Sequence, residues 1–378
     1  PCSAGTTQRQ SLTTFIFAAR GLACRPPPRR PGASYLPVVG RRAIGRQQLT
    51  DISAPLNVTV VTPTFNRAKL IQRALDSVRQ QRRRPAEVIV VDDCSSDGTP
   101  QIARDWAERH GVPLRLEILP KNSGPAVARN RGIQLANTAY VAFLDSDDEH
   151  HSETLEQLCA ALDAHPEAVL SFGDATVITP NARLAHGLFA TKADATTVAE
   201  PLPHDRWRLR DATDLLLQAS IIPTSAVCFR RQAALSAGCM PERYRSGEDW
   251  LFFLRMSQQG QFVFTRNDVA LHHRHADNLT GPRAGEFMAR EKLRGLLELA
   301  DGSLGIQLSQ SQIQRVVQLQ AVWGKHWRYH LSQFGWSRYW QGLRGPLGVA
   351  LGGWPAQMAA DPKSVLRALT AKVGFERP

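Results

Sequence analysis

Between residues 58 and 172 the chain alternates short, uninterrupted apolar runs with stretches of helical periodicity. Val58-Thr59-Val60-Val61 reads as a strand buried on both faces and stops at Thr62-Pro63-Thr64. Leu70, Ile71, Ala74, Leu75 and Val78 then recur at helical spacing, and Arg82-Arg83-Arg84-Pro85 ends that helix. A second buried strand, Val88-Ile89-Val90-Val91, runs into Asp92-Asp93-Cys94-Ser95-Ser96-Asp97-Gly98, which is turn chemistry with a helix N-cap. The same reading predicts a helix over 100–109, a strand over 114–119, a helix over 125–137, a strand at Tyr140–Leu144, a helix over 152–164 and a strand over 168–172. Such alternation predicts an α/β fold, a mainly parallel sheet with helices on both faces. After Gly173 it fades into a looser region to about residue 222. A strand over Ala226–Phe229, a helix from Glu248 to about Gln259 and strands over 262–264 and 268–273 follow, and from 284 the pattern is mainly helical. The expected organisation is therefore a segment 1–56 without periodicity, a catalytic domain over 57–280 and a C-terminal helical extension over 281–378.

In open α/β sheets the ligand sits outside the carboxyl ends of the strands. Thr64, Asp92 and Asp93, and Asp145-Ser146-Asp147-Asp148 each fall just past a predicted strand, so residues far apart in sequence are expected on one edge.

Charge changes the picture only once it is divided. The 378 residues carry a net +12, which by itself suggests a nucleic-acid binder. Residues 1–56 hold eight arginines against Asp51, and residues 281–378 hold 13 Lys/Arg against six acids, +7 in each flank, leaving the middle at −2. A near-neutral centre and flanks without a recognisable motif argue against nucleic acid. The six cysteines form no C-x-x-C pair and no regular spacing, which argues against a disulfide framework or zinc ribbon and points to reduced cytosol. No apolar run reaches the roughly 18–20 residues of a membrane-spanning helix. The chain begins with Pro1 and its first methionine is Met240. Segment 1–56 is expected to be a disordered basic arm, a targeting peptide or upstream sequence translated from a mis-set or truncated frame, the last preferred.

Three carboxylates in four residues, Asp145, Asp147 and Asp148, repel one another unless a cation or hydrogen-bond donors compensate. Hard oxygen ligands suit Mg²⁺ or Mn²⁺, which recruit one or two protein carboxylates and complete their shell with substrate phosphates. The alternative is a helix N-terminus, where Ser and Asp act as caps. Glu248-Asp249 opens the apolar helix Trp250-Leu251-Phe252-Phe253-Leu254, and there too the plain reading is a cap.

Taken together, Pro63-Thr64-Phe65-Asn66-Arg67, Val90-Val91-Asp92-Asp93, Asp97-Gly98-Thr99, Asn122-Ser123-Gly124 with Ala128-Arg129-Asn130 and Gly132, Leu144-Asp145-Ser146-Asp147-Asp148, Gly247-Glu248-Asp249-Trp250 and Arg274-His275 with Asn278-Leu279-Thr280 resemble, in order, the motifs of the inverting family 2 glycosyltransferases of the glycosyltransferase A fold. The resemblance runs from Val58 to about Thr280. It implies that Asp93 accepts the N–H of the donor's base, with Pro63, Thr64 and Phe65 lining the same pocket. It makes Arg129 a nucleotide- or phosphate-facing residue, the alternative being a solvated helix position. Asp145 and Asp147 become the ribose and metal carboxylates, Asp148 is a further candidate to share the metal, and His275 completes the metal site or meets the diphosphate. The alternative for His275 is a polar strand end within His272-His273-Arg274-His275. Asp249 becomes the general base that takes the acceptor hydroxyl's proton, with Glu248 in support.

The function this implies is metal-dependent inverting transfer from a nucleotide-diphosphate sugar, UDP-sugar favoured, to a sugar, lipid-linked or protein acceptor in cell-surface polysaccharide or glycoconjugate synthesis. A sugar-1-phosphate nucleotidyltransferase would want a Gly-rich loop with a lysine where Pro63–Arg67 stands. A catalytically inactive nucleotide-sugar-binding relative is opposed by the presence of Asp93, Asp145, Asp147 and Asp249 together. Five of eight tryptophans lie between Trp323 and Trp354 among Lys325, Arg328, Arg338 and Arg344. They read either as peripheral contact with an anionic membrane at the inner face of the cell, or as helix faces packed on the domain.

Overall fold

The computed structural model describes residues 54–179, 195–275 and 284–371, with 182–183 as backbone only. The N-terminal segment, apart from 54–56, and the Asn278-Leu279-Thr280 motif lie outside the described residues. The strands are β1 (Leu56–Thr64), β2 (Pro85–Asp92), β3 (Leu114–Ile118), β4 (Tyr140–Phe143), β5 (Glu149–His150), β6 (Ala168–Thr179), β7 (Ala182–Arg183), β8 (Ala199–Leu202), β9 (Arg206–Leu209), β10 (Val227–Arg230) and β11 (Gln261–His273). The helices of the first half are α1 (Ile71–Arg79), α2 (Thr99–His110), α3 (Pro125–Leu135) and α4 (Thr154–Ala164). Then come α5 (Ala212–Gln218), α6 (Arg231–Ser236) and α7 (Glu248–Met256). The C-terminal helices are α8 (Gly285–Ala300), α9 (Gln310–Ser332), α10 (Trp336–Arg344), α11 (Pro346–Ala350), α12 (Gly353–Ala360) and α13 (Pro362–Thr370).

One sheet runs in the order β3-β2-β1-β4-β10-β6-β11-β9-β8, with β5 on β11 and β7 on β6. Strands β1 to β4 pair in parallel, as do β6 and β11. Strand β10 is inserted antiparallel between β4 and β6, so the sheet is mixed rather than parallel throughout. An apolar run carries no direction, which is why the sequence pattern misses this reversal. Both faces of β1 and β2 are buried, and the pleat deals alternate residues to two cores. Val58, Val60, Val88 and Val90 pack with α1, α2 and α4 through Leu75, Trp106 and Leu158. Val61, Ile89 and Val91 pack with α3 and α7 through Ile133 and Phe252. Gly132 lets α3 lie directly on β1: a Cβ there would come 2.2 Å from Val61 Cγ1.

The predicted strands 262–264 and 268–273 are one strand, β11, with register shifts between Phe264 and Ala270. The looser region holds a β8–β9 hairpin and the Asp211-capped α5, elements too short to show a period. The boundary drawn at residue 280 is not a boundary in the packing. Leu296 and Leu299 of α8 and Val316 of α9 belong to the same core as Phe252, and the Gln312 amide donates to Asp211 Oδ2 at 3.1 Å.

Candidate active site

The carboxyl ends of β1 and β2 lie side by side, Thr64 level with Asp92, and the loops leaving them are tied together. Asn66 N–H donates to Ser95 Oγ at 2.8 Å and Ser96 N–H to Asn66 Oδ1 at 2.9 Å. Arg67 N–H reaches Thr99 Oγ1 at 2.9 Å and Ala68 N–H reaches Asp97 Oδ2 at 3.0 Å. Asn66 sits at φ +52, a left-handed turn that asparagine tolerates better than most residues. Buried Asp92 takes Ser95 N–H on Oδ2 at 2.8 Å. Asp93 takes Ser123 N–H on Oδ1 at 2.6 Å and Gly124 N–H on Oδ2 at 2.7 Å, each oxygen keeping further acceptor capacity. Asp93 thus also fixes the entry to α3. Gly124 turns there at φ +96, and a Cβ on it would meet Arg245 at 2.8 Å.

The three carboxylates after β4 go three ways. Asp148 is 2% exposed and has three polar neighbours: Ser225 Oγ–H donates to Oδ2 at 2.6 Å, His272 Nδ1 lies 3.2 Å from the same oxygen, and His273 N–H donates to Oδ1 at 3.0 Å. Burial works to raise its pKa, but these donors and the His272 charge outweigh it and hold the carboxyl below its ordinary value. Asp145 meets the Arg129 guanidinium at 2.5 Å, and its N–H donates to Ser225 Oγ at 3.1 Å. Burial raises Asp145, with the charges of Asp148 and Asp147 adding to it and Arg129 opposing. Asp147 remains partly exposed, its Oδ2 at 3.0 Å from His275 Nε2 and 3.7 Å from Arg67 Nε, its carbonyl accepting from Arg73 at 2.6 Å.

Helix α7 supplies the opposite wall. Gly247, at φ +77, turns the chain into it, and Trp250 and Leu251–Leu254 anchor it in the core. Thr224 Oγ–H donates to Asp249 Oδ2 at 3.2 Å, and Trp250 N–H to Asp249 Oδ1 at 2.7 Å. Glu248 points inward to Arg129 at 3.0 Å. Burial, together with the charge of Asp249, pushes the Glu248 carboxyl up to about 7 against the pull of Arg129. Burial lowers the pKa of Arg129, yet Asp145 and Glu248 more than compensate and keep it charged.

These residues line a cleft of about 440 Å³ that takes in Pro63, Thr64, Phe65, Asp93, Arg129, Asp145, Asp147 and Asp249. Asp148 and His275 are not among its lining residues. Asp148, expected to share a metal, accepts from Ser225 and His273 and lies against His272, and it braces the loop from behind. Arg129, expected to face the nucleotide or phosphate, lines the cleft and bridges Asp145 and Glu248 through its two terminal nitrogens. Asp147 and His275 do offer a carboxylate and an imidazole close together, a donor pair that fits a divalent cation. Among the described residues no three His, Cys, Asp or Glu side chains form a ready-made metal cage. Sequence reasoning missed Thr224, Ser225 and Arg245. Nothing near 224–225 signals them beyond their place before a predicted strand.

A parallel half-sheet, carboxylates at its carboxyl edge and a carboxylate-bearing helix opposite make an arrangement of the glycosyltransferase A type. Residues 59–231, just under half of the chain, match the family described as Glycosyl transferase family 2. Among curated relatives, poly(ribitol-phosphate) beta-N-acetylglucosaminyltransferase TarS of Staphylococcus aureus (strain MW2) is 38% identical over 237 residues, 62% of this chain and 37% of that protein. The putative teichuronic acid biosynthesis glycosyltransferase TuaG of Bacillus subtilis is 42% identical over 100 residues, 26% of this chain and 39% of that one. The chain spans 37% to 60% of the length of the first such relatives. Of solved structures, S. aureus TarS 1-349 in complex with UDP-GlcNAc superposes with a TM-score of 0.54 at 20% identity, covering 83% of this chain and 89% of that one. The mannosyltransferase PcManGT from Pyrobaculum calidifontis with GDP-Man and Mn2+ gives 0.51 at 20% identity, covering 85% and 83%. At that identity the likeness concerns the fold.

Proposed function

We propose that this chain transfers a sugar, with inversion, from a nucleotide-diphosphate donor to an acceptor hydroxyl, and that the donor is a UDP-sugar. The observation that carries the reading is the single cleft that brings Asp93, Asp147 and Asp249 together from three separate parts of the sequence. Asp93 would take the N–H of the base on its remaining acceptor positions, with Pro63, Thr64 and Phe65 around the ring. Asp145 would face the ribose. Asp147 and His275 would hold Mg²⁺ or Mn²⁺, which when bound neutralises the donor's diphosphate. Asp249 would accept the acceptor's hydroxyl proton as that oxygen bonds to the anomeric carbon and the bond to the diphosphate breaks on the opposite face. Thr224 fixes the Asp249 carboxylate for this, and the Glu248–Arg129–Asp145 chain ties the base helix to the donor loop.

The UDP preference is supported by the UDP-GlcNAc complex of the TarS neighbour, and a polyol-phosphate or acidic polysaccharide acceptor by the names of the relatives. The compartment we infer is the cytoplasm, at the inner face of the membrane. Among the described residues no helix is long and apolar enough to cross it. The test is a panel of nucleotide sugars scored by metal-dependent thermal shift, followed by product analysis with wild type and Asp249→Asn. Metal-independent donor binding, or turnover by the variant at the wild-type rate, overturns the reading. No transfer by wild type with any acceptor, despite donor binding, would favour an inactive relative.

A further inference from the structure

The fold sorts the C-terminal tryptophans into two kinds. Trp327 is 2% exposed in the core of the helical region, its indole N–H on Glu286 Oε1 at 3.1 Å, and Trp323 packs against the same core. Those two are packing residues. Trp336, Trp340 and Trp354 instead form a run of touching rings at the surface. Trp336 stacks on Trp340 with centroids 5.7 Å apart, and Trp340 meets Trp354 at 5.1 Å. Trp336 is 36% and Trp354 44% exposed, although Tyr339 and Leu343 of the same helix α10 are buried beneath them. The Arg344 guanidinium lies 5.8 Å from the Trp340 ring centroid, and Arg338 is exposed on that helix.

Along the sequence from residue 302 to 371 the chain carries Arg315, Lys325, Arg328, Arg338, Arg344, Lys363 and Arg367 against Asp361 alone, and of these Arg338 and Arg344 are the exposed cations on the patch's own helix. Asp361 is buried and faces Arg328 at 3.7 Å, so it shows solvent almost no negative charge. Indole rings rimmed by cations match a bilayer's headgroup boundary, where tryptophan keeps its N–H wet and its ring apolar. Each cation near an anionic leaflet adds about 1 kcal/mol. A second copy of this chain fits less well. A two-fold contact would set the same Arg338 and Arg344 of both copies close together. A soluble polyanion would satisfy the cations and leave the rings uncovered.

We propose that the Trp336–Trp340–Trp354 patch, with Arg338 and Arg344, is a docking surface for an anionic lipid bilayer. This rests on the helical region alone and is independent of the transfer reading, because binding is read without turnover.

The test is co-sedimentation of the full chain with phosphatidylcholine vesicles and with vesicles of equal parts phosphatidylcholine and phosphatidylglycerol. Binding to the anionic vesicles only, weakened by salt and accompanied by a blue shift of tryptophan emission, is expected. Trp336→Ser with Trp354→Ser, and separately Arg338→Glu with Arg344→Glu, should each weaken it at least about tenfold, since two cations are worth about 2 kcal/mol. The arginine pair lies at the surface, so unchanged circular dichroism separates lost binding from lost folding. No sedimentation at low salt overturns the proposal, as does equal binding to neutral vesicles. So does binding untouched by either pair, or a patch-dependent dimer in size-exclusion chromatography.

Discussion

The two walls of the cleft are built by different kinds of contact. On the side proposed to bind the donor, strands β1 to β3 pair in sequence order, and short ties between successive loops set the pocket: Asn66 to Ser95, Ala68 to Asp97, Asp93 to Ser123 and Gly124. Behind the loop after β4 and along helix α7, the wall that carries the proposed base, the partners are remote. Ser225 and His273 reach Asp148 across 77 and 125 residues, and Arg129 meets Glu248 across 119. The donor wall is therefore shaped by local chain, and the base wall by assembly of the whole sheet. Changes on the first should act on donor binding, and changes on the second on turnover or stability.

The largest effect is expected from Asp249→Asn. A positioned general base contributes about 10²–10⁴-fold, so kcat should fall by that much while the donor's thermal shift is unchanged. Loss of donor binding in this variant would dissolve the distinction between the walls. Asp147→Ala should show the converse, about 10²-fold weaker metal-dependent donor binding by calorimetry, because the cation's partner is gone. Ser225→Ala removes at once a donor to buried Asp148 and the acceptor of the Asp145 backbone N–H. Urea unfolding should register about 1–3 kcal/mol of lost stability. The smallest effect concerns pH. The Glu248 carboxyl, ordinarily at 4.5, is raised to about 7 in the fold. Between those values the folded chain holds a proton that the unfolded chain releases, so this group's contribution to stability falls as pH rises through the window. Glu248→Gln should flatten that part of the Tm–pH curve, and an unchanged slope would assign it to other groups.

The donor wall was also the more legible one. Val58–Val61 and Val88–Val91 announce β1 and β2 as runs buried on both faces, and Asp93 and Asp147 stand where such strands must end. The base wall carries no such signal. That Asp148 is a brace follows from Ser225, His272 and His273, which only the finished sheet brings to it. That Arg129 is a bridge follows from Glu248, which an arginine on a helix does not reveal. The direction of β10 and the short strands β5, β8 and β9 escape for a simpler reason: two to four residues define neither a period nor a polarity. The Trp336–Trp340 and Trp323–Trp327 pairs have the same spacing, and only the packing separates the surface pair from the core pair.

The reversed strand also bears on the order of events on the ribosome. Tyr140–Phe143 leaves the exit tunnel as the outermost strand of a nearly complete parallel half, yet its native neighbour Val227–Arg230 is still untranslated. At about 5–20 residues per second the intervening chain takes several seconds or more to make. Throughout that interval the edge of β4 is an open row of hydrogen-bonding groups, the kind of edge on which strands of other chains pair. The same insertion that joins the two halves of the sheet closes this edge of the nascent domain.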